Sequence, residues 1–383
     1  MTKTVLFCAT VDYHFKAFHL PYLKWFKDQG WNVHVAAQGN MPLPFVDRKF
    51  DIAIERSPFH PNNITAYRDL LRIINENHYD IIHCHTPMGG VLARLAARKQ
   101  RRRGTKVMYT AHGFHFCQGA PVKNWLLYYP IEKVLSFLTD CLITINEEDY
   151  QLGKVLRKKM RTEKIHGIGV DTKQFQPVDE EEKARLRKKY NLKDKDFILI
   201  YPAELNTNKN QVLLIETVAR LHKDMPNIKL VLAGKGLMEE DYRRLTEQKG
   251  IASHVLFAGF QKEIHEWIKL ADVSVASSIR EGLGMNLLEG MSAGKPAVAT
   301  DNRGHREVIE DGVNGFLIPQ GDTKLFSERL LSLYHSLQLR KQMGEAGRSI
   351  AAIFSESCTV KEMAHIYTSF MNEEATAKRR LEG

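Results

Sequence analysis

No apolar run in this 383-residue chain approaches the roughly 20 residues that span a bilayer; the longest are strand-sized, such as CLITI at 141–145. A membrane-crossing helix is therefore not expected. Paired cysteines are also missing: Cys8, Cys84, Cys117, Cys141 and Cys358 are scattered without a C-x-x-C, which argues against a disulfide framework and a structural zinc site. The amino-terminal MTKTVLFCAT has one lysine, a short β-branched run and no small-residue cleavage site, so it reads as a first strand, not a secretory signal, and points to the cytoplasm. No G-x-G-x-x-G follows that strand, which tells against a nicotinamide dehydrogenase. Low-complexity tracts and sequence-level repeats are lacking as well. Acid is scarce relative to base: 55 Lys and Arg stand against 45 Asp and Glu, a net charge of +10. That balance suits an anionic partner, whether nucleic acid, anionic lipid or a phosphorylated substrate.

What is present is alternation. TVLFCA (4–9), WNVHVAA (31–37), DIAIE (51–55), DIIHC (80–84), KVMYTA (106–111) and CLITI are short β-branched runs separated by helical patterns, which means βαβ units and a parallel sheet. The pattern lapses in GIGVDTKQFQPVDEEEK (167–183), then restarts with FILIYPA (197–203), KLVLAG, HVLFAG, DVSVAS, PAVAT and GFLIP. The expectation is an α/β protein with two Rossmann-like doubly wound domains, residues 1–170 and 171–355. An amphipathic helix over 360–376, carried by Val360, Met363, Ala364, Tyr367, Phe370 and Met371, would complete the first domain. Such sheets bind ligands at their carboxyl ends, so function is expected in an interdomain cleft.

The segment REGLGMNLLEGMSAGKP (280–296) sets Glu281 and Glu289 eight positions apart in an otherwise interior-looking stretch. One reading is structural: Asn286 caps a helix, Glu289 three residues on completes a capping box, and Glu281 is a solvated loop acid. The other is functional. A glycine turn entering a helix can hold an anion on its amides, while carboxylates accept hydrogen bonds from sugar hydroxyls, including a ribose diol.

EGLGMNLLE with the following GMSAGKPAVAT resembles the E-x7-E signature of family 4 glycosyltransferases, which have the GT-B fold. GIGVDTKQFQP is similar to that family's interdomain segment, NKNQ (208–211) to its phosphate-lysine motif, and AGKG (233–236) to its glycine turn. The subgroup it most resembles makes bacterial capsular and exopolysaccharides. The resemblance implies that Glu289 holds the donor ribose, Glu281 contacts the transferred sugar and Lys209 sits on the diphosphate. It also implies that Gly234 and the Gly284, Met285 and Asn286 amides line the donor, and that His112 in YTAHGFHF contacts the transferred sugar. His85 and His14 are expected on the acceptor side. Two departures stand out: Glu204 lies where many members carry a phosphate-binding Arg, leaving Arg280 to supply charge, and the first strand lacks the usual Gly-Gly turn.

The expected reaction is transfer from a nucleoside diphosphate sugar, UDP-linked, to a saccharide or polyprenyl-linked saccharide. The resemblance implies retention of configuration, and front-side attack is favoured over an enzyme adduct. Positive groups fixed at the departing diphosphate would provide the catalysis. No cofactor and no metal are expected: the one D-x-D, Asp194 to Asp196, reads as a surface turn, and His83 and His85 on one face of a strand are too few ligands for an ion. Basic runs at 92–106 and 154–164, with Trp125, Leu126, Tyr128 and Tyr129 near them in sequence, suit an anionic membrane surface at the inner face of the cell membrane or, for the aromatics, core contacts. The rivals are a GT-B sugar-nucleotide epimerase and, with no recognised nucleic-acid motif to support it, a basic nucleic-acid-binding module.

Overall fold

The computed structural model describes residues 2–382, with side chains described through residue 371. The chain divides into two compact units, Met1–Gly169 with Glu356–Gly383, and Val170–Ser355. In the first, strands β1 (Thr4–Val11), β2 (Asn32–Gln38), β3 (Arg48–Asp51), β4 (Ile81–His85), β5 (Lys106–Ala111), β6 (Cys141–Thr144) and β7 (Arg161–Lys164) form a sheet in the order β3-β2-β1-β4-β5-β6-β7. In the second, β8 (Phe197–Pro202), β9 (Ile228–Ala233), β10 (Val255–Phe257), β11 (Val273–Ala276), β12 (Ala297–Thr300) and β13 (Gly315–Ile318) are ordered β10-β9-β8-β11-β12-β13. The pairings are parallel, as between β1 and β4 or β8 and β11.

A parallel strand is covered on both faces, so its sequence runs continuously apolar where an exposed sheet would alternate. β1 shows this, with Val5 through Ala9 fully buried. One expected strand, 51–55, is displaced: β3 occupies Arg48–Asp51, and its ladder ends at the Ala37–Asp51 pair. Ile52 and Ile54 enter the core all the same, so the apolar signal there reported side-chain burial after the ladder had stopped.

In the second unit, Asp272 ties the helix Glu180–Lys189 to the sheet. It accepts from Lys183 Nζ at 2.8 Å, Arg187 at 2.9 Å and the Ile198 amide at 2.8 Å, and these partners lower its carboxyl pKa against the opposing effect of burial. In the first unit the last helix, Glu356–Glu382, packs against the helix Leu20–Asp28: Tyr367 stacks on Trp25 at 5.4 Å and its hydroxyl meets His83 Nδ1 at 2.7 Å. The expected helix over 360–376 falls within it, its side chains beyond Met371 lying outside the described residues.

Arg94, read from sequence as part of a basic run, is instead buried. It makes a two-pronged pair with Glu132 at 2.7 and 3.0 Å and lies 4.0 Å over the Tyr109 ring, joining the helix Pro87–Ala96 to the helix Val122–Leu135. Removing one partner of such a pair leaves an uncompensated charge in the interior. Arg94→Met is therefore expected to lower unfolding stability by about 3–5 kcal/mol, read from the urea midpoint, whereas the double change Arg94→Met with Glu132→Leu should recover much of the loss. A single variant as stable as the wild type would show the pair to be solvated.

Candidate functional site

Each strand order reverses once: between β1 and β4 in the first sheet, between β8 and β11 in the second. Loops leaving the carboxyl ends of two such neighbours go to opposite faces and leave a crevice between them.

In the second unit that crevice brings together Lys209, after β8, and Glu281, after β11, with Nζ 2.5 Å from the carboxylate. The backbone around Lys209 is tightly held. Asn206 Oδ1 accepts from its amide at 2.9 Å, and the Tyr201 and Ser277 hydroxyls donate to its carbonyl at 3.2 and 2.8 Å. Asn208 reaches across to the Arg280 carbonyl at 3.0 Å, and the Ile279 amide returns to the Asn208 carbonyl at 2.8 Å. Gly234 serves the same lacing from β9: a Cβ there would collide with the Ala203 carbonyl, so only glycine lets the two loops lie in contact. Arg280 is half-buried and makes no ion pair among the described residues, while Glu204 is exposed.

The helix carrying Glu289 is Met285–Ser292, and its cap is Gly284. Asn286 is thus inside the helix, not its cap, and no capping box forms; the two glycines let the chain turn two residues earlier than the capping pattern implied. The Gly284 and Met285 amides bond to the Gly304 and Leu283 carbonyls at 3.3 and 3.0 Å, and the Asn286 side-chain nitrogen is buried with no hydrogen-bond partner among the described residues. The Glu289 carboxyl group has no hydrogen bond or ion pair among them either, and removal from water raises its pKa to about 7, although the side chain keeps some solvent contact. Sequence reasoning missed three neighbours. Arg303 Nε donates to the Glu281 carbonyl at 3.1 Å, and a Cβ on Gly304 would sit 2.7 Å from the Glu281 Cβ. His305 is fully buried, with Nδ1 2.6 Å from the Thr300 carbonyl and Nε2 unpartnered. The signal was available: D-N-R-G-H directly follows the strand PAVAT, and a glycine turn at a strand's carboxyl end is where such sheets place ligands.

In the first unit the expected His112, His85 and His14 do come together, joined by His19. His85 ends β4, His112 follows β5, and His14 and His19 belong to the helical turns after β1. His19 Nε2 lies 2.9 Å from His14 Nε2, and His85 Nδ1 3.3 Å from His112 Nε2. One ring nitrogen from each of the four lies within 4.8 Å of the others. Burial holds His14 down to about 4 and keeps His19, His85 and His112 well below the usual imidazole value, each reinforced for the last three by repulsion from its neighbours. His83, on the same face of β4, is separate: its two nitrogens meet Tyr367 and Thr110, each at 2.7 Å. His83 and His85 share that face of β4, while His14, His19 and His112 come from other loops.

Between His85 and Pro87, Thr86 sits at φ 61°, a costly conformation for a β-branched residue. Its hydroxyl accepts from the Thr10 amide at 3.0 Å and meets the Thr10 hydroxyl at 2.8 Å. Beside His14 opens a largely apolar cavity of about 940 Å³, walled within the same unit by Phe18, Phe59, Ile64, Met88, Tyr109 and Leu127 among others.

Residues 182–350 match the family described as glycosyl transferases group 1, and residues 4–146 the glycosyl transferase 4-like family. The chain is 62% identical over 379 residues, 99% of its length and 100% of the relative's, to EpsD of Bacillus subtilis (strain 168), which is named as a glycosyltransferase. It therefore belongs to the group 1, family 4-like glycosyltransferases. It is also 27% identical, over 70% of this chain and 71% of the relative, to the UDP-Gal:alpha-D-GlcNAc-diphosphoundecaprenol alpha-1,3-galactosyltransferase of Escherichia coli. Among solved structures, Anabaena HepE in complex with UDP and glucose superposes with a TM-score of 0.79, covering 96% of this chain and 100% of that one at 19% identity. The fold is that of GT-B glycosyltransferases, two Rossmann-like parallel-sheet units.

The raised Glu289 carboxyl has a consequence for stability. Between about 4.5 and 7 the folded chain keeps a proton that the unfolded chain has released, so this group's contribution is full below that window and lost as pH rises through it. The difference in melting temperature between wild type and Glu289→Gln should shift in favour of the variant from pH 5 to pH 8. A difference constant with pH would show that the carboxyl titrates normally.

Proposed function

We propose that the chain is a retaining, metal-independent transferase that moves a hexosyl or N-acetylhexosaminyl group from a UDP-sugar to a lipid-linked saccharide acceptor in extracellular polysaccharide synthesis. The observation that carries this reading is the convergence of Lys209, Glu281, Arg280 and the Met285–Ser292 helix at the switch point of the second sheet. A departing diphosphate gains negative charge, and Lys209 and Arg280 meet it with fixed positive groups where other transferases use a divalent ion. Glu289, having no protein partner, is the acceptor for the ribose hydroxyls. Glu281 is paired to Lys209 and so is a poor nucleophile. Front-side attack, with the leaving diphosphate taking the acceptor proton, is therefore favoured over a covalent adduct.

The UDP assignment is supported by the HepE complex with UDP and glucose. The acceptor assignment draws on the diphosphoundecaprenol substrate in the Escherichia coli relative's name and on the apolar cavity beside His14 and near His112, wide enough for part of a polyprenyl chain. An epimerase would have no use for that cavity. The donor reading is tested by thermal stabilisation. UDP, UDP-glucose and UDP-N-acetylglucosamine should raise the melting temperature of the wild type more than GDP or NAD do. At pH 8, above the raised Glu289 pKa of about 7, Glu289→Gln, losing hydrogen bonds to a charged acceptor worth about 1.5–3 kcal/mol, should weaken UDP binding by roughly tenfold to 150-fold. Equal shifts with all nucleotides, or none, would defeat the donor site.

Trp125 and Tyr129 turn inward against Phe116, so the aromatic surface expected from sequence is not the one that faces out. Val122, Leu126, Val134 and Phe137 do, with Arg157 lying 5.1 Å over the Phe137 ring and Arg101 donating to the Phe137 carbonyl. No helix among the described residues is long and apolar enough to cross a membrane. Apolar side chains ringed by arginine suit the surface of an anionic bilayer. The protein should float with phosphatidylglycerol vesicles at low salt, and Leu126→Ser with Phe137→Ser should release it; flotation unchanged by those substitutions would reject this surface.

A further inference from the structure

We propose that His14, His19, His85 and His112 form a binding site for one divalent transition-metal ion of the zinc class. The geometry carries the argument. A tetrahedral ion with metal–nitrogen bonds of about 2.0–2.1 Å holds its ligand nitrogens roughly 3.3 Å apart. Two of the contacts here are already 2.9 and 3.3 Å, and all four nitrogens lie within 4.8 Å, so small side-chain rotations close the set. No carboxylate belongs to the cluster, and four imidazoles with no oxygen ligand select zinc, copper, nickel or cobalt over magnesium or calcium.

His19 and His85 are each only 1% exposed, so the nitrogens that meet His14 and His112 are withdrawn from water. Burial keeps the rings in the neutral form that binds metal. An entry path exists, because His14 also lines the apolar cavity of this unit. His83, 4.1 Å from His85 between ring centres, is excluded by its own bonds to Tyr367 and Thr110. An ion held here competes with a sugar hydroxyl for His112; that competition, unlike the site itself, depends on the sugar contact that the family resemblance implies for His112.

The test uses the full chain, stripped with chelator, loaded with zinc chloride, desalted and measured for metal per chain, with cobalt(II) as a spectroscopic stand-in. One retained ion per chain and a tetrahedral visible cobalt band are expected. His14→Gln and His19→Gln should each weaken zinc binding by at least about tenfold, and His83→Phe should leave it unchanged. His14 is partly exposed on a short helix, so His14→Gln decides the matter should the buried His19→Gln fail to fold. No retained ion, or retention undiminished in folded His14→Gln, overturns the site. UDP stabilisation of the same samples reports on the second unit alone, so a failed donor reading and a failed metal site are told apart.

Discussion

A strand paired in parallel on both sides cannot hairpin back to its neighbour; the chain must cross over, and every crossover leaves from a carboxyl end. Both sheets of this protein obey that constraint, and the placement of its chemistry follows from it. Lys209, Glu281 and Arg303 come from crossovers after β8, β11 and β12, His14 and His112 from those after β1 and β5, and His85 from the carboxyl end of β4 itself. They are far apart in sequence and close in space because the strand order reverses beside them. The glycines at 234 and 304 belong to the same constraint: several loops crowd one sheet edge, and only residues without a Cβ let their backbones touch.

The two crevices differ in electrostatic character, and the difference suits different ligands. That of the second unit is built on charge: a lysine salt-bridged to a carboxylate, an arginine lying against the carbonyl of the same glutamate, and a carboxyl held near neutrality by its surroundings. That of the first is built from uncharged rings and an apolar cavity, with a buried ion pair, Arg94 with Glu132, used to join two helices. A diphosphate needs compensation by fixed cations, whereas a lipid tail needs a surface from which water is already excluded. Each unit offers what the other lacks.

The doubly wound architecture was legible because parallel strands are buried on both faces and write themselves as continuous apolar runs. Where that reason fails, so did legibility. β7 is RTEK, an edge strand whose charged side chains shield an open ladder, and it was hidden inside a basic run. Most of the segment 51–55 carries the apolar signal of a strand but lies past the end of its ladder, which stops at Asp51. At the donor crevice, Glu281 and Lys209 were found because a motif marks them. Asn286 was misassigned as a cap because the cap is Gly284, a residue that bonds through its backbone and leaves no side-chain signal. His19 was missed because a lone histidine next to an aromatic residue looks like core, and His305 because a lone histidine in a charged loop looks solvated, until neighbours from other loops are known.

Thr86 shows how far the first crevice is specified. Its φ of 61° is a cost the chain carries at the one residue separating His85 from the helix Pro87–Ala96. The turn is held by two hydrogen bonds to Thr10, at the end of β1, and the helix behind it is seated by Gly89, where a Cβ would come within 2.9 Å of the Ala9 backbone. Relaxing Thr86 to an ordinary conformation would swing that helix off β1. Both Met88 of the cavity wall and the Arg94 pair travel on that helix. Strain at this position thus fixes His85 and the cavity together, which a loosely joined turn could not do.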